Sequence, residues 1–266
     1  MSEATKIDVK RVLLSKVPEV TIFFWVIKIL ATTVGETFAD YINETLGFGL
    51  TKTTWVMSAL LALALVFQFR AKRYVPMIYW IVVVFISVVG TLITDNLTDG
   101  HSVPLKLTTS VFAVLLAIVF ALWYREEGTL SIHSIDTPKR EAWYWLAILV
   151  TFSLGTAAGD LISESFNLGY WKSIFLFAGL IGIVCIATFV FKLNRVLAFW
   201  AAYILTRPLG ASIGDFMSQQ HAHDTAWGLG LGTTGTSVIF LGAILAVVVF
   251  LTITKKDQPA PILIDE

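Results

Sequence analysis

Long apolar runs separated by short polar connections dominate this chain. Eight runs reach the length needed to cross a hydrocarbon layer of roughly 30 Å. They lie near residues 19–42, 54–70, 77–97, 107–124, 143–163, 173–192, 196–217 and 233–254. The polar positions inside them are not random. A Trp, a Gly ten residues later and an Asp five residues after that recur four times: Trp25/Gly35/Asp40, Trp80/Gly90/Asp95, Trp145/Gly155/Asp160 and Trp200/Gly210/Asp215. Fixed spacing of this kind marks internal duplication. Each copy falls in the first run of a pair, which gives four two-helix repeats at approximately 17–72, 73–126, 138–193 and 194–255. The expected fold is an all-α integral membrane protein. It has eight transmembrane helices in one membrane domain spanning 1–266. A two-span unit returns the chain to its starting side, so the repeats are parallel. Trp spacings of 55, 65 and 55 divide them into two pseudo-symmetric halves joined by the polar stretch Arg125 to Glu141.

Helical spacing sorts the recurring residues into stripes, because positions four apart share a face. Gly35/Ala39, Gly90/Thr94, Gly155/Gly159 and Gly210/Gly214 form a small-residue seam that lets helix backbones approach closely in lipid. The four glycines are therefore helix-packing residues, and the four first helices should pack together with the second helices outside. Beside the seam run Glu36/Asp40/Glu44, Thr91/Asp95/Asp99, Thr156/Asp160/Glu164 and Ala211/Asp215/Gln219. Carboxylates in apolar segments are costly and point to function. The Trp residues read as interface anchors or packing residues.

Composition agrees with this picture: 56% hydrophobic and 14% charged residues, against roughly 25% charged in soluble domains. Of the 19 Lys and Arg, only Lys52, Lys106 and Lys172 lie on one side, and Lys28 and Arg207 fall within spans. The rest flank the other side, which the positive-inside rule assigns to the cytoplasm with both termini. The first span follows a basic segment but contains Lys28, Glu36 and Asp40 and is too long for a signal peptide, so it should remain as a helix. Cys185, the single cysteine, reads as a small apolar filler. Nucleic-acid binding has no support, and no cofactor is required. The Gly-rich stretch Gly228 to Gly235 lacks the Lys-Ser/Thr ending of a phosphate loop. No nucleophile–base constellation stands out, so an enzyme is not expected.

Four carboxylates from four helices need protons or cations to neutralise them. Oxygen ligands suit hard divalent ions such as Mn²⁺. Asp40, Asp95, Asp160 and Asp215 are the candidate metal ligands, with Glu36 and Glu44 contributing to ion binding. Lys28 reads as a gate or counter-ion, in reach of Glu36 two turns away. Arg207 is a further gate or counter-ion, and Pro208 beside it can kink the helix and free a carbonyl. On the outer side, Asp99/His101 and His221/His223/Asp224 occupy equivalent places and read as solvated loops or a vestibule. A structural alternative pairs Asp40, Asp95 and Asp160 with Lys52, Lys106 and Lys172.

The aromatic-Trp/Gly/Asp pattern, with Phe24, Tyr79, Tyr144 and Phe199 before the Trp residues, resembles a bacterial membrane-protein family. That family consists of four tandem two-span repeats of unknown function. The resemblance implies a bacterial inner-membrane location. The pieces Gly35 to Asp40, Gly159-Asp160 and Gly214-Asp215 are also loosely similar to acidic helix motifs of bacterial manganese and calcium exporters, with a different residue order. The expected function is a secondary transporter exporting a hard divalent cation, Mn²⁺ first, in exchange for protons. Its partners are then the lipid bilayer, the metal cation and protons, and a homo-oligomer is compatible with the pattern. An organic-cation or small-solute transporter or channel, and a non-transporting scaffold or sensor, are the alternatives.

Overall fold

A computed structural model describes residues 15–166, 168–219 and 228–258. His221, His223, Asp224 and the side chain of Glu164 lie outside the described set. Among the described residues there are eight helices long and apolar enough to cross a membrane, and no strand. They are α1 (Ile22–Asp40), α2 (Leu50–Arg70), α3 (Pro76–Asp95), α4 (Leu105–Glu127), α5 (Pro138–Asp160), α6 (Tyr170–Phe189), α7 (Arg195–Ser218) and α8 (Gly232–Thr254). Local chemistry explains several starts. Pro76 and Pro138 occupy first-turn positions where the missing N–H costs nothing. Thr137 and Asn194 cap α5 and α7 by accepting from backbone N–H groups one turn on.

The first helices of the repeats, α1, α3, α5 and α7, form a closed ring in which each touches the next and α7 returns to α1. An outer helix packs little on its own repeat's partner, α8 against α7 being the exception among the described residues. It lies on the first helix of the following repeat: α2 on α3, α4 on α5, α6 on α7, and α8 on α1. The repeats are thus interlocked around a circle. Burial follows this division, with 61–72% of each inner span buried against 11–28% of each outer span. Cys185, expected as a filler, is exposed on outer helix α6.

Glycine sets how tightly the ring closes. A Cβ placed on Gly35 would lie 2.7 Å from Ser87 Cβ, on Gly90 2.6 Å from Phe152 Cβ, on Gly155 2.5 Å from Arg207 Cβ, and on Gly210 2.6 Å from Thr32 Cβ. All four neighbours sit three residues before the glycine of the next repeat. Equal levels therefore meet at every joint, and the inner helices are parallel.

Of the two readings of the Trp residues, anchors or packing residues, the structure favours packing for three of the four. Trp80, Trp145 and Trp200 are 2%, 4% and 3% exposed and pack in an aromatic layer with Phe24, Tyr79, Tyr144 and Tyr203. Side chains this large contribute more inside the bundle than at a water interface. At the same end a polar latch ties the chain ends to the ring. Lys16 pairs with buried Glu141 at 2.7 Å, Gln68 donates to Glu141 at 2.9 Å, and Tyr74 donates to Asp257 at 2.5 Å. Burial pushes the Asp257 carboxyl above its usual range.

Gly90→Ala or Gly155→Ala should lower thermal stability in detergent by roughly 1–3 kcal/mol through overpacking. Gly179→Ala and Gly182→Ala, where nothing lies within 4 Å, should leave the melting temperature unchanged or raise it, because alanine is the better helix former. Equal melting temperatures for both pairs would remove the glycine joints as the basis of ring closure.

Candidate functional site

One stripe of each inner helix, at spacing four, lines the ring. Eleven residues before the glycine it carries Phe24, Tyr79, Tyr144 and Phe199, and seven before it Lys28, Val83, Ile148 and Tyr203. Three before it come Thr32, Ser87, Phe152 and Arg207. One after it come Glu36, Thr91, Thr156 and Ala211, and the four Asp residues follow one turn later.

Arg207 is fully buried and ties the ring together. One guanidinium nitrogen donates to Glu36 Oε2 at 2.8 Å, to Thr156 Oγ1 at 2.7 Å and to Thr91 Oγ1. Another donates to the Thr32 carbonyl at 3.2 Å. A single side chain of α7 thereby holds α1, α3 and α5. Its acceptors Glu36, Thr91 and Thr156 occupy one equivalent position in repeats 1 to 3. In repeat 4 that position is Ala211, which leaves room where the Arg207 side chain arrives from the turn before. Pro208 sits within the continuous helix α7 and packs beside Gly155 and Gly159 of α5.

Lys28 behaves differently from expectation. Its Nζ is fully buried and has no hydrogen-bond partner among the described residues, and the Glu36 pair anticipated for it forms with Arg207 instead. The ammonium position lies between two rings, 4.0 Å from the Phe152 centroid and 4.1 Å from the Tyr203 centroid. The Arg207 guanidinium lies 5.9 Å from the same Phe152 ring.

Toward the far end from the aromatic layer, carboxylate oxygens of Glu36, Asp40 and Asp215 all lie within 4.8 Å of one another. Glu36 and Asp215 are each 7% exposed, and Asp40 is half-buried. Asp95 and Asp160, also half-buried, stand outside this group, so the structure gathers two of the four repeated Asp residues with Glu36 rather than the whole layer. Glu44 is exposed and does not join it. Among the described residues, no ion pair within 4 Å joins Asp40 to Lys52 or Asp95 to Lys106. Lys172 Nζ lies 5.7 Å from the Trp171 ring. Asp99 and His101 are exposed, and His101 Nδ1 lies 2.5 Å from the Asn96 carbonyl.

Backbone geometry marks the same level. Directly after Asp40, Asp95 and Asp160 the helix widens into one π turn: Tyr41–Thr45, Asn96–Gly100 and Leu161–Ser165. Single π turns inside helices concentrate at functional sites, because the wider turn re-aims side chains. Sequence spacing alone gave no sign of them. Arg207 and Lys28 were legible as site residues, but their place on the Asp stripe required counting back from the glycine as well as forward.

The model of the family described as Repeat of Unknown Function (DUF347) matches residues 23–74, 78–129, 143–194 and 198–257. The chain belongs to this family. Its four matches follow the four interlocked units, each running from an inner helix through its outer helix. No curated protein and no solved structure matches the chain.

Removing the guanidinium should strand Glu36 in the ring. Arg207→Met is expected to cost about 3–5 kcal/mol, as for a broken buried pair. Adding Glu36→Gln should restore much of that loss. Denaturation followed by Trp fluorescence checks both, and an Arg207→Met protein as stable as the parent would show the pair to be dispensable.

Proposed function

We propose that this protein is a secondary transporter of a hard divalent cation, Mn²⁺ first, exporting it in exchange for protons. The observation that carries the reading is the Glu36–Asp40–Asp215 cluster lying against Arg207. Three ionised carboxylates and one guanidinium leave two negative charges, which one divalent ion balances. Two carboxylate oxygens held at about 2.0–2.2 Å by one ion of Mg²⁺ or Mn²⁺ size lie at most about 4.4 Å apart, so oxygens already within 4.8 Å need only a small inward movement to share one ion. The ligands come from α1 and α7, neighbours across the joint where the last repeat meets the first. A shift at that joint changes ligand number, as a release step requires. Positive-inside loops support placing both termini in the cytoplasm, and the family resemblance supports a bacterial inner membrane.

A second reading, transport of an organic cation, draws on the Phe152 and Tyr203 rings, which already hold an ammonium group.

Mn²⁺ should raise the melting temperature of the purified protein, and Asp40→Asn and Asp215→Asn should abolish that rise while the variants still insert and fold. In proteoliposomes the same variants should lose Mn²⁺ flux. Asp95→Asn and Asp160→Asn should weaken flux less, because their carboxylates stand outside the cluster. Mn²⁺ stabilisation that survives in both Asp40→Asn and Asp215→Asn would overturn the metal assignment. Stabilisation by a quaternary ammonium and not by Mn²⁺ would select the second reading.

A further inference from the structure

Buried polar atoms without a protein partner occur at successive levels of the axis stripe. Among the described residues, Lys28 Nζ and Tyr203 Oη are unpartnered seven residues before the glycine, and Ser87 Oγ and Arg207 Nε three before it. Lys28, Tyr203, Ser87 and Arg207 are all fully buried. One turn further toward the chain ends, the hydroxyls of Tyr79 and Tyr144 meet at 2.5 Å. In the other direction stand Glu36, Thr91 and Thr156, then the acidic cluster. The column covers five levels at spacing four, about 24 Å of helix at 1.5 Å per residue. That is most of a hydrocarbon layer of roughly 30 Å.

Buried polar atoms that lack protein partners are ordinarily satisfied by internal water, which needs polar neighbours of this kind. We propose that the column is a hydrated proton path and that Lys28 is the group through which each proton passes. The coupling half of this proposal, that the proton moves against a metal ion in the Glu36–Asp40–Asp215 cluster, rests on the function proposed above. The path itself does not.

Two cations share the Phe152 ring, and their chemistry divides the roles. A guanidinium keeps its protons throughout, so Arg207 is a fixed positive charge that takes no part in the relay. An amine can alternate between protonated and free forms. Lys28 releases one H⁺ to a water on one side and takes one H⁺ onto its nitrogen lone pair from the other, with no change in redox state. The groups around it that bear on this exchange are Glu36 on its own helix, Tyr79 on α3, Tyr144 on α5, and Tyr203 and Arg207 on α7. Outer helix α8, packed on α1, carries no charged residue between Gly232 and Thr254.

Hydroxyl-radical footprinting of the full-length protein in lipid nanodiscs tests the water. Radicals formed from bound water should oxidise Tyr203 and Phe152 faster than Phe112 and Phe177, which are buried on the outer helices. Equal, slow labelling of all four means a dry column and overturns the proposal. Proteoliposomes with an internal pH dye test the carrier. A potassium diffusion potential should drive H⁺ uptake through the parent protein, and both Lys28→Met and Lys28→Arg should lose it, the first lacking a proton site and the second unable to release its proton. Undiminished H⁺ movement in either variant overturns the role of Lys28. A cooperative unfolding transition followed by Trp fluorescence shows that both variants fold, and Mn²⁺-induced thermal stabilisation should persist in both. H⁺ uptake through the parent that no Mn²⁺ gradient alters leaves the path standing and rejects the metal reading.

Discussion

A guanidinium placed inside a ring of four apolar helices is costly, and the way protein groups hold the two terminal nitrogens of Arg207 organises the molecule. Its hydrogen bonds reach Glu36, Thr91 and Thr156, one acceptor from each of the other inner helices. The pairing with Glu36 offsets two buried charges that would each be expensive alone. It also fixes the height at which the four helices meet, since the acceptors occupy one equivalent position in three repeats. The glycine joints set the distance between the helices, and Arg207 sets their register.

The same interaction separates two chemical regions along the axis. On one side are Asp40 and Asp215, which share a cluster with Glu36. On the other are Lys28, the Phe152 and Tyr203 rings and the tyrosine pair. A fixed positive charge thus stands between an acidic cluster and an aromatic layer. Interlocking of each outer helix with the following repeat makes movement at one joint felt around the circle. The joint between α7 and α1 is the chemically distinct one, because it carries the Arg207–Glu36 pair and both clustered Asp residues.

Duplication gave four equal frames, and unequal substitution gave them a purpose. The position three before the glycine is Thr32, Ser87, Phe152 and Arg207, and the position one after it is Glu36, Thr91, Thr156 and Ala211. A symmetric ring would place four identical groups on its axis, where like charges repel. Divergence replaces that with one cation, one carboxylate, four hydroxyls, one aromatic ring and one small residue, so that the cation meets a carboxylate and hydroxyls instead of its own kind.

Much of this was written in the sequence. Hydropathy gave the eight spans, because crossing a membrane demands length and apolarity that are visible residue by residue. The Gly stripe gave close packing of the first helices, since only a missing Cβ permits such approach. The Asp positions gave the level of the acidic layer. Other features depended on contacts between residues far apart in the chain. Spacing treated the four Asp residues alike, while the tertiary arrangement gathered Asp40 and Asp215 with Glu36 and left Asp95 and Asp160 aside. Intra-helix spacing suggested Lys28 as the partner of Glu36, but Arg207 arrives from another helix and takes it. The Trp residues were legible as interface anchors or packing residues, and the closed bundle decides for packing at Trp80, Trp145 and Trp200. Local pattern determines which face a residue occupies on its own helix; which residue it meets there is decided by how the helices close into a ring.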